Sequence, residues 1–365
     1  MSESAVSTNV HERGLSRFPW LFSPWLDLSA FLGSAIVALG LLGVGAGLGI
    51  LHSDSPEWTW VTAVLLVDVA HVYATGFRVL ADREELRRRK WLYGLTPLLA
   101  FALGWAVHSE SQQLFWRVLA YLAVFHFVRQ QYGWVALYRS RAGDTSSAGK
   151  LIDSAAVYLA TVFPLVWWHA HLPRNFWWFL NGDFSGIPVA IATALEPVYW
   201  LSLLLYAGRS LSRGIREGLW NPGKDVVVAT TAVCWYVGII TFNSDYAFTV
   251  TNVIIHGVPY FVLVYWYWER SAGSRAASSA SRWQYIAMFV ATLWLLAYAE
   301  ELLWDRGVWH HRAWLFGGWD LSGFRNVLVP LLAVPQVTHY ILDGFIWKRR
   351  SSPEFRRNWQ VESQT

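Results

Sequence analysis

Polar residues divide the chain into ten apolar blocks, at about 28–51, 58–80, 91–108, 115–137, 152–172, 187–208, 225–242, 246–268, 283–303 and 326–347. Each is about 20 residues long, the length at which an α-helix crosses a hydrocarbon core of about 30 Å. The pattern predicts an all-α fold, a polytopic membrane helix bundle of about ten spans over 28–347, with an N-terminal segment 1–27 and a polar tail 348–365. The ends of the fifth and sixth blocks are the least defined, because Trp167, Trp168, Pro173, Trp177 and Trp178 suit a re-entrant or interfacial stretch equally well. The first block, Gly-rich from Gly40 to Gly49, follows 27 polar and aromatic residues and reads as a span, not as a cleaved leader.

Composition sharpens this picture. Of 365 residues, 55% are hydrophobic and only 15% charged, against roughly 25% charged in a soluble domain. A single cysteine, Cys234, excludes a disulfide framework and a Cys-based zinc or iron–sulfur site within one chain. The net charge of +4 comes from basic residues at block edges, not from a continuous patch interleaved with aromatics, so nucleic acid is not an expected partner. Cytoplasmic loops retain positive charge. With the N-terminus inside, 22 Lys and Arg fall in inner segments and 4 (Arg174, Arg306, Arg312, Arg325) in outer loops, while Arg78, Arg117 and Arg129 lie within spans. Both termini are therefore expected to be cytoplasmic, and the expected location is a bacterial inner membrane.

Four spans carry polar residues where lipid disfavours them. In the second, Asp68, His71, Thr75, Arg78 and Asp82 recur at steps of three and four, hence on one helix face. His126, Arg129 and Gln130 do so in the fourth, Thr249, Asn252 and His256 in the eighth, and Gln336, His339 and Asp343 in the tenth. Gly257 and Pro259 are expected to loosen the backbone just beyond His256. These even-numbered spans run in one sense, and their histidines are residues 14, 12, 11 and 14 from the same end. At 1.5 Å per residue they occupy a slab of about 5 Å, within reach of one metal ion.

Neutral imidazole is the commonest metal ligand and suits iron, copper, zinc and nickel. His71, His126, His256 and His339 are thus the candidate metal ligands. Asp68 and Asp343 are candidate orienting carboxylates for ligand rings. Arg129 and Gln130 are candidates to position a polar headgroup or an oxygen species, with Arg129 also a counter-ion to Asp68 or Asp343. Thr75, Asn252 and Gln336 are the candidate cofactor-binding residues beside them. Arg78 either snorkels to the inner interface or faces the core. His52, His108, His169, His171, His310 and His311 are expected at interfaces, Glu300 and Glu301 at a hydrated boundary, and Asp153 as an N-cap. No nucleophile elbow, phosphate loop, HExxH or CxxCH motif occurs, nor do the HxxxH and HxxHH clusters of membrane di-iron desaturases.

One histidine on each of several spans, centred on His71, His126, His256 and His339, resembles the bacterial Brp/Blh carotene-cleaving dioxygenases. The likeness is one of architecture: that family's local motifs are absent here and the chain has more spans. It implies an intramembrane, histidine-bound iron and a carotenoid substrate. The expectation is an iron-dependent oxygenase or oxidative-cleavage enzyme on a lipid-soluble substrate, with O2 and an electron donor as co-reactants and the lipid bilayer as its surroundings. The iron is mononuclear in the simpler reading, although two carboxylates beside four histidines also suffice for a binuclear centre. The same groups would serve a proton-coupled transporter, or bis-histidine haem binding. The charge bias makes a direct prediction: a reporter active only in the cytoplasm is active when fused after Lys150 or Thr365 and silent after Asn181 or Gly318. The reverse pattern rejects the orientation.

Overall fold

A computed structural model describes residues 18–81, 83–271 and 279–348. The segment before residue 18, Asp82, most of the Ser271–Ser281 loop and the tail from 349 lie outside the described residues. Backbone groups in lipid must find partners within their own segment, which selects helices, and no strand occurs among the described residues. The long helices are α1 (Pro24–Leu48), α2 (Glu57–Leu80), α3 (Lys90–Glu110), α4 (Gln112–Arg141), α5 (Ser147–Ala170), α6 (Val189–Glu217), α7 (Pro222–Thr241), α8 (Asp245–Ser271), α9 (Arg282–Trp309) and α10 (Ser322–Ile346). They coincide in place with the ten apolar blocks, but nine of them are both long and apolar enough to cross a membrane. The exception is α4, 30 residues long, whose apolarity is diluted by Arg117, His126, Arg129, Gln130, Gln131 and Arg139.

α8 is the central element: 83% of its most apolar window is buried, against 11% for the peripheral α3. It packs on α1, α2, α4 and α7, while α10 packs on α2, α3 and α4. Each of α2 and α4 therefore touches both α8 and α10, and the four histidine-bearing helices form a four-sided group. Among the described residues five stretches wind as π-helix, including Trp60–Val69 just before His71 and Thr249–Val253 just before His256. Such wide turns are rare and cluster at functional sites.

The backbone irregularity of α8 thus lies before His256 and not after it, as Gly257 and Pro259 had suggested. Beyond His256 the helix is continuous from Ile254 to Ser271. Gly257 serves close packing: a Cβ there would lie 2.5 Å from Val67 Cγ1, so only glycine lets α8 approach α2 this closely. The segment after α5 is neither span nor re-entrant helix. Asp183 accepts the N–H groups of Trp178 (3.0 Å) and Phe179 (2.9 Å), and Arg174 donates to the carbonyls of Ile239 (2.5 Å) and Phe242 (2.8 Å). This irregular stretch buries Phe176 and Phe184 against Trp168.

At the opposite end a buried ion network ties four helices together. Asp153 of α5 accepts from Arg139 of α4 (2.5 Å), Lys224 of α7 (2.9 Å) and Arg209 of α6 (3.3 Å). Asp144, between α4 and α5, is shared by Arg209 (2.8 Å), Arg213 (2.9 Å) and Arg139 (3.1 Å). Asp153 is therefore not an N-cap, a place taken by Ser146; its register turns it inward to the cations. Burial pushes the Asp144 carboxyl up, and the Arg209 and Arg139 guanidiniums more than reverse this, holding it below the ordinary carboxylate range. A folded-state value below the unfolded one means that the network stabilises the fold at neutral pH and loses this contribution as the pH falls. Replacing Asp153 by Ala leaves buried cations unneutralised and should cost about 3–5 kcal/mol, read as a lower unfolding midpoint in detergent; an unchanged midpoint rejects the clamp.

Candidate metal centre

The four histidines converge. His71, His126, His256 and His339 are 2%, 3%, 0% and 1% exposed. His71 Nε2 lies 3.1 Å from His256 Nε2, and His339 Nε2 lies 3.1 Å from His126 Nε2. Ring centres of neighbouring pairs are 4.5 Å (126–339), 4.7 Å (71–256), 4.9 Å (71–339) and 5.1 Å (126–256) apart, and the diagonal pair 71–126 is 6.3 Å apart. The diagonal follows from the packing, since α2 and α4 meet through α8 and α10.

The outward-facing nitrogens are held by the scaffold. His71 Nδ1 donates to the backbone carbonyl of Asp68, one turn back. His339 Nδ1 is 2.7 Å from Thr75 Oγ1, which is 2.9 Å from the Tyr260 hydroxyl, which donates to Asp343 Oδ1 at 2.6 Å. Direction follows from chemistry: Tyr260 gives its proton to the carboxylate, so Thr75 gives its own to Tyr260 and His339 Nδ1–H donates to Thr75. Both His71 and His339 therefore present a bare Nε2 lone pair to the centre. His126 Nδ1 lies 3.9 Å from Asp343 Oδ2. His256 Nδ1 has no partner among the described residues, and Phe127 stacks on its ring at 3.6 Å.

A contact of 3.1 Å between two ring nitrogens is closed either by a proton on one of them or by a cation to which both are ligands. Ligand nitrogens about 2.0–2.1 Å from an ion stand about 3.0–3.4 Å from one another, with ring centres about 4.5–5 Å apart when adjacent and about 6 Å apart when opposed. The spacings within each close pair match that arrangement, and the ligand atoms of the described residues group as two overlapping trios, not as one set of four. Ligand atoms of His71, His126 and His339 lie within 4.8 Å of one another, as do those of Asp68, His71 and His256.

The other candidates divide. Thr75 and Asp343 join the centre through the chain just described. Asp68 is one-third exposed, its Oδ1 is 3.7 Å from His71 Nδ1, and the carboxylate orients nothing: the backbone carbonyl does so instead. The helix is wound as π-helix up to Val69, and the Asp68 carbonyl, not its nearby carboxylate, takes the Nδ1 proton. Gln130 donates to the carbonyl of His256 (2.8 Å) and so supports a ligand helix without facing the centre. Arg129 is exposed, donates to Tyr158 and lies over the Tyr132 ring. Residues 126, 129 and 130 share a broad face, but 129 and 130 lie on opposite sides of His126, and only the 130 side meets α8. Arg129 is thus no counter-ion to Asp68 or Asp343. Asn252 bonds the Phe248 carbonyl (3.3 Å) and Thr251 (3.0 Å), and Gln336 is half-buried with no bond to a histidine.

Three further readings change. Arg78 does not snorkel: it is 0% exposed, donates to the Ile346 carbonyl (3.0 Å) and lies over the Tyr267 ring. Glu300 is buried, not at a hydrated boundary, and receives Tyr73 (2.6 Å) and Trp304 (3.1 Å). His108 is buried beside Phe115. Tyr260 and Tyr340, the latter stacked on His126 with ring centres 4.7 Å apart, were not singled out by sequence; the signal for Tyr260 is its position one turn after His256.

Compared with family models, curated proteins and solved structures, the chain matches none. The chain through Thr75 makes a prediction of its own. Thr75→Val keeps the shape, leaves His339 Nδ1 and Tyr260 without their shared partner, and should destabilise the protein by about 1–3 kcal/mol. Thr75→Ser should stay near wild type in thermal unfolding. Equal behaviour of the two variants rejects the bond as a structural element.

Proposed function

We propose that this protein is an integral membrane metalloenzyme whose ion is held by His71, His126, His256 and His339. The observation that carries the reading is the stacking of two close pairs of buried Nε2 atoms side by side, one member of each pair being left by its surrounding hydrogen bonds as a bare lone pair. Iron is the proposed metal: an all-imidazole set with no thiolate suits it, and the architectural likeness to Brp/Blh dioxygenases favours it. The proposed reaction is oxygenation or oxidative cleavage of a lipid-soluble substrate, for which the iron would supply the means of activating O2. This chain's own residues orient the rings, through the Asp68 carbonyl and the Thr75–Tyr260–Asp343 chain, and exclude water by burying all four. Haem is the less suited cofactor, because ring nitrogens 3.1 Å apart leave no slot for a macrocycle between them.

The proposed topology keeps α4 as a tenth span, shielded by its neighbours, with both termini cytoplasmic and the protein in an inner membrane. The distribution of Lys and Arg supports it. Metal analysis tests the reading. Protein purified from cells supplied with iron should contain about one iron per chain, a content that His126→Ala reduces to near zero without unfolding the helices. Wild-type protein that is metal-free under those conditions overturns it; retained metal without O2 uptake when a polyene is added overturns the oxygenase assignment alone.

A further inference from the structure

Asp68 has a carboxylate that the centre does not use. Its backbone carbonyl holds His71, yet its side chain stands within ligand distance of His71 and His256, and its Oδ1 is buried with no hydrogen-bond partner among the described residues. His256, 0% exposed, likewise has an unpartnered Nδ1. Exposure separates the members of this trio: the Asp68 side chain is 32% exposed, and that of His71 is 2% exposed. Asp68 is thus both in reach of the buried rings and open to the surroundings.

Acidic groups gather on that side. Glu301, half-buried on α9, lies in electrostatic range of Asp68 and Glu300. Arg312, a cation in range of Glu301, is engaged with Glu57 (3.0 Å) and lies over the Trp60 ring. That pair ties the beginning of α2 to the segment after α9. Asp343, the other carboxylate near the histidines, is committed to Tyr260 and is 12% exposed.

We propose that Asp68 is the entry ligand for a divalent cation: it takes the ion on the partly open side of the centre and passes it to His71 and His256, from which it reaches the four-histidine centre. The step is ligand exchange, oxygen for nitrogen, with no change in oxidation state. A carboxylate suits it because oxygen ligands hold a hydrated cation without the tight grip of several imidazoles. The inference rests on the metal reading above and adds the route by which the ion arrives.

Loading of the metal-stripped full-length protein in nanodiscs with Co2+, followed by its visible ligand-field bands, tests the route. Asp68→Asn should slow loading by about tenfold or more, leave the final stoichiometry and band positions as in wild type, and be rescued by Asp68→Glu. Asp68→Cys, modified by a water-soluble thiol reagent, should load more slowly still, and this variant guards against a folding defect peculiar to the amide. Loading of Asp68→Asn at the wild-type rate overturns the proposal. So do shifted bands at full loading, which would make Asp68 a permanent ligand. If wild type binds no Co2+, the metal reading itself falls; if wild type binds and Asp68→Asn is unaffected, only the entry role falls.

Discussion

An imidazole nitrogen in a membrane interior must have a partner, because a buried polar group without one costs several kcal/mol. Four imidazoles present eight such nitrogens, and the packing around α8 answers to that demand for most of them, His256 Nδ1 excepted. The Nδ1 atoms of His71 and His339 are taken by a backbone carbonyl and by a hydroxyl. The Nε2 atoms are turned to one another. None of α2, α4, α8 and α10 can rotate without breaking one of these contacts and exposing a ring nitrogen to hydrocarbon. The cluster is therefore a constraint on the orientation of the helices as well as a site for chemistry.

The close approach that this demands is built locally. Gly257 stands next to His256 and lets α8 press on Val67 of α2, and Gly238 of α7 makes room for Thr251 and Asn252 on the other flank of α8. The π-helical stretches before His71 and His256 adjust the two histidine-bearing helices against each other at the same level. Toward the two membrane faces the bundle is held by charge: the Asp144 and Asp153 network at one, and Glu57 with Arg312 at the other. Rigid ends and a glycine-permitted waist together keep four long helices in register at mid-depth, which loose lipid packing alone does not provide.

Depth was legible in the sequence; direction was only partly so. The positions of the ten helices followed from apolar block length, and the meeting of the four histidines from counting residues along parallel spans, since rise per residue in a helix is nearly constant. The azimuth of the remaining polar residues depends on local winding and on which neighbour packs where. Arg129 missed the centre because it lies on the far side of His126 from α8. Asp68 presented its backbone in place of its carboxylate where the preceding turns are wider than those of an α-helix. Tyr260 was overlooked, and Glu300 placed at a hydrated boundary, for a different reason. Nothing in one sequence tells that the Tyr260 hydroxyl faces a threonine 185 residues earlier, or that Tyr73 and Trp304 donate to Glu300.

The two aspartates look alike in the sequence, each one turn from a histidine, and the fold separates them. Asp343 ends a directed chain of three hydrogen bonds and thereby sets the tautomer of His339. A carboxylate so placed acts on the centre through protons it holds in position, and its low exposure suits that work. Asp68 is partly open, unpartnered at Oδ1 and within ligand distance of two rings. Arg312, a cation near that side, is already engaged with Glu57. The asymmetry between the two acids thus divides the surroundings of the histidines into a side closed by hydrogen bonds and a side left partly open.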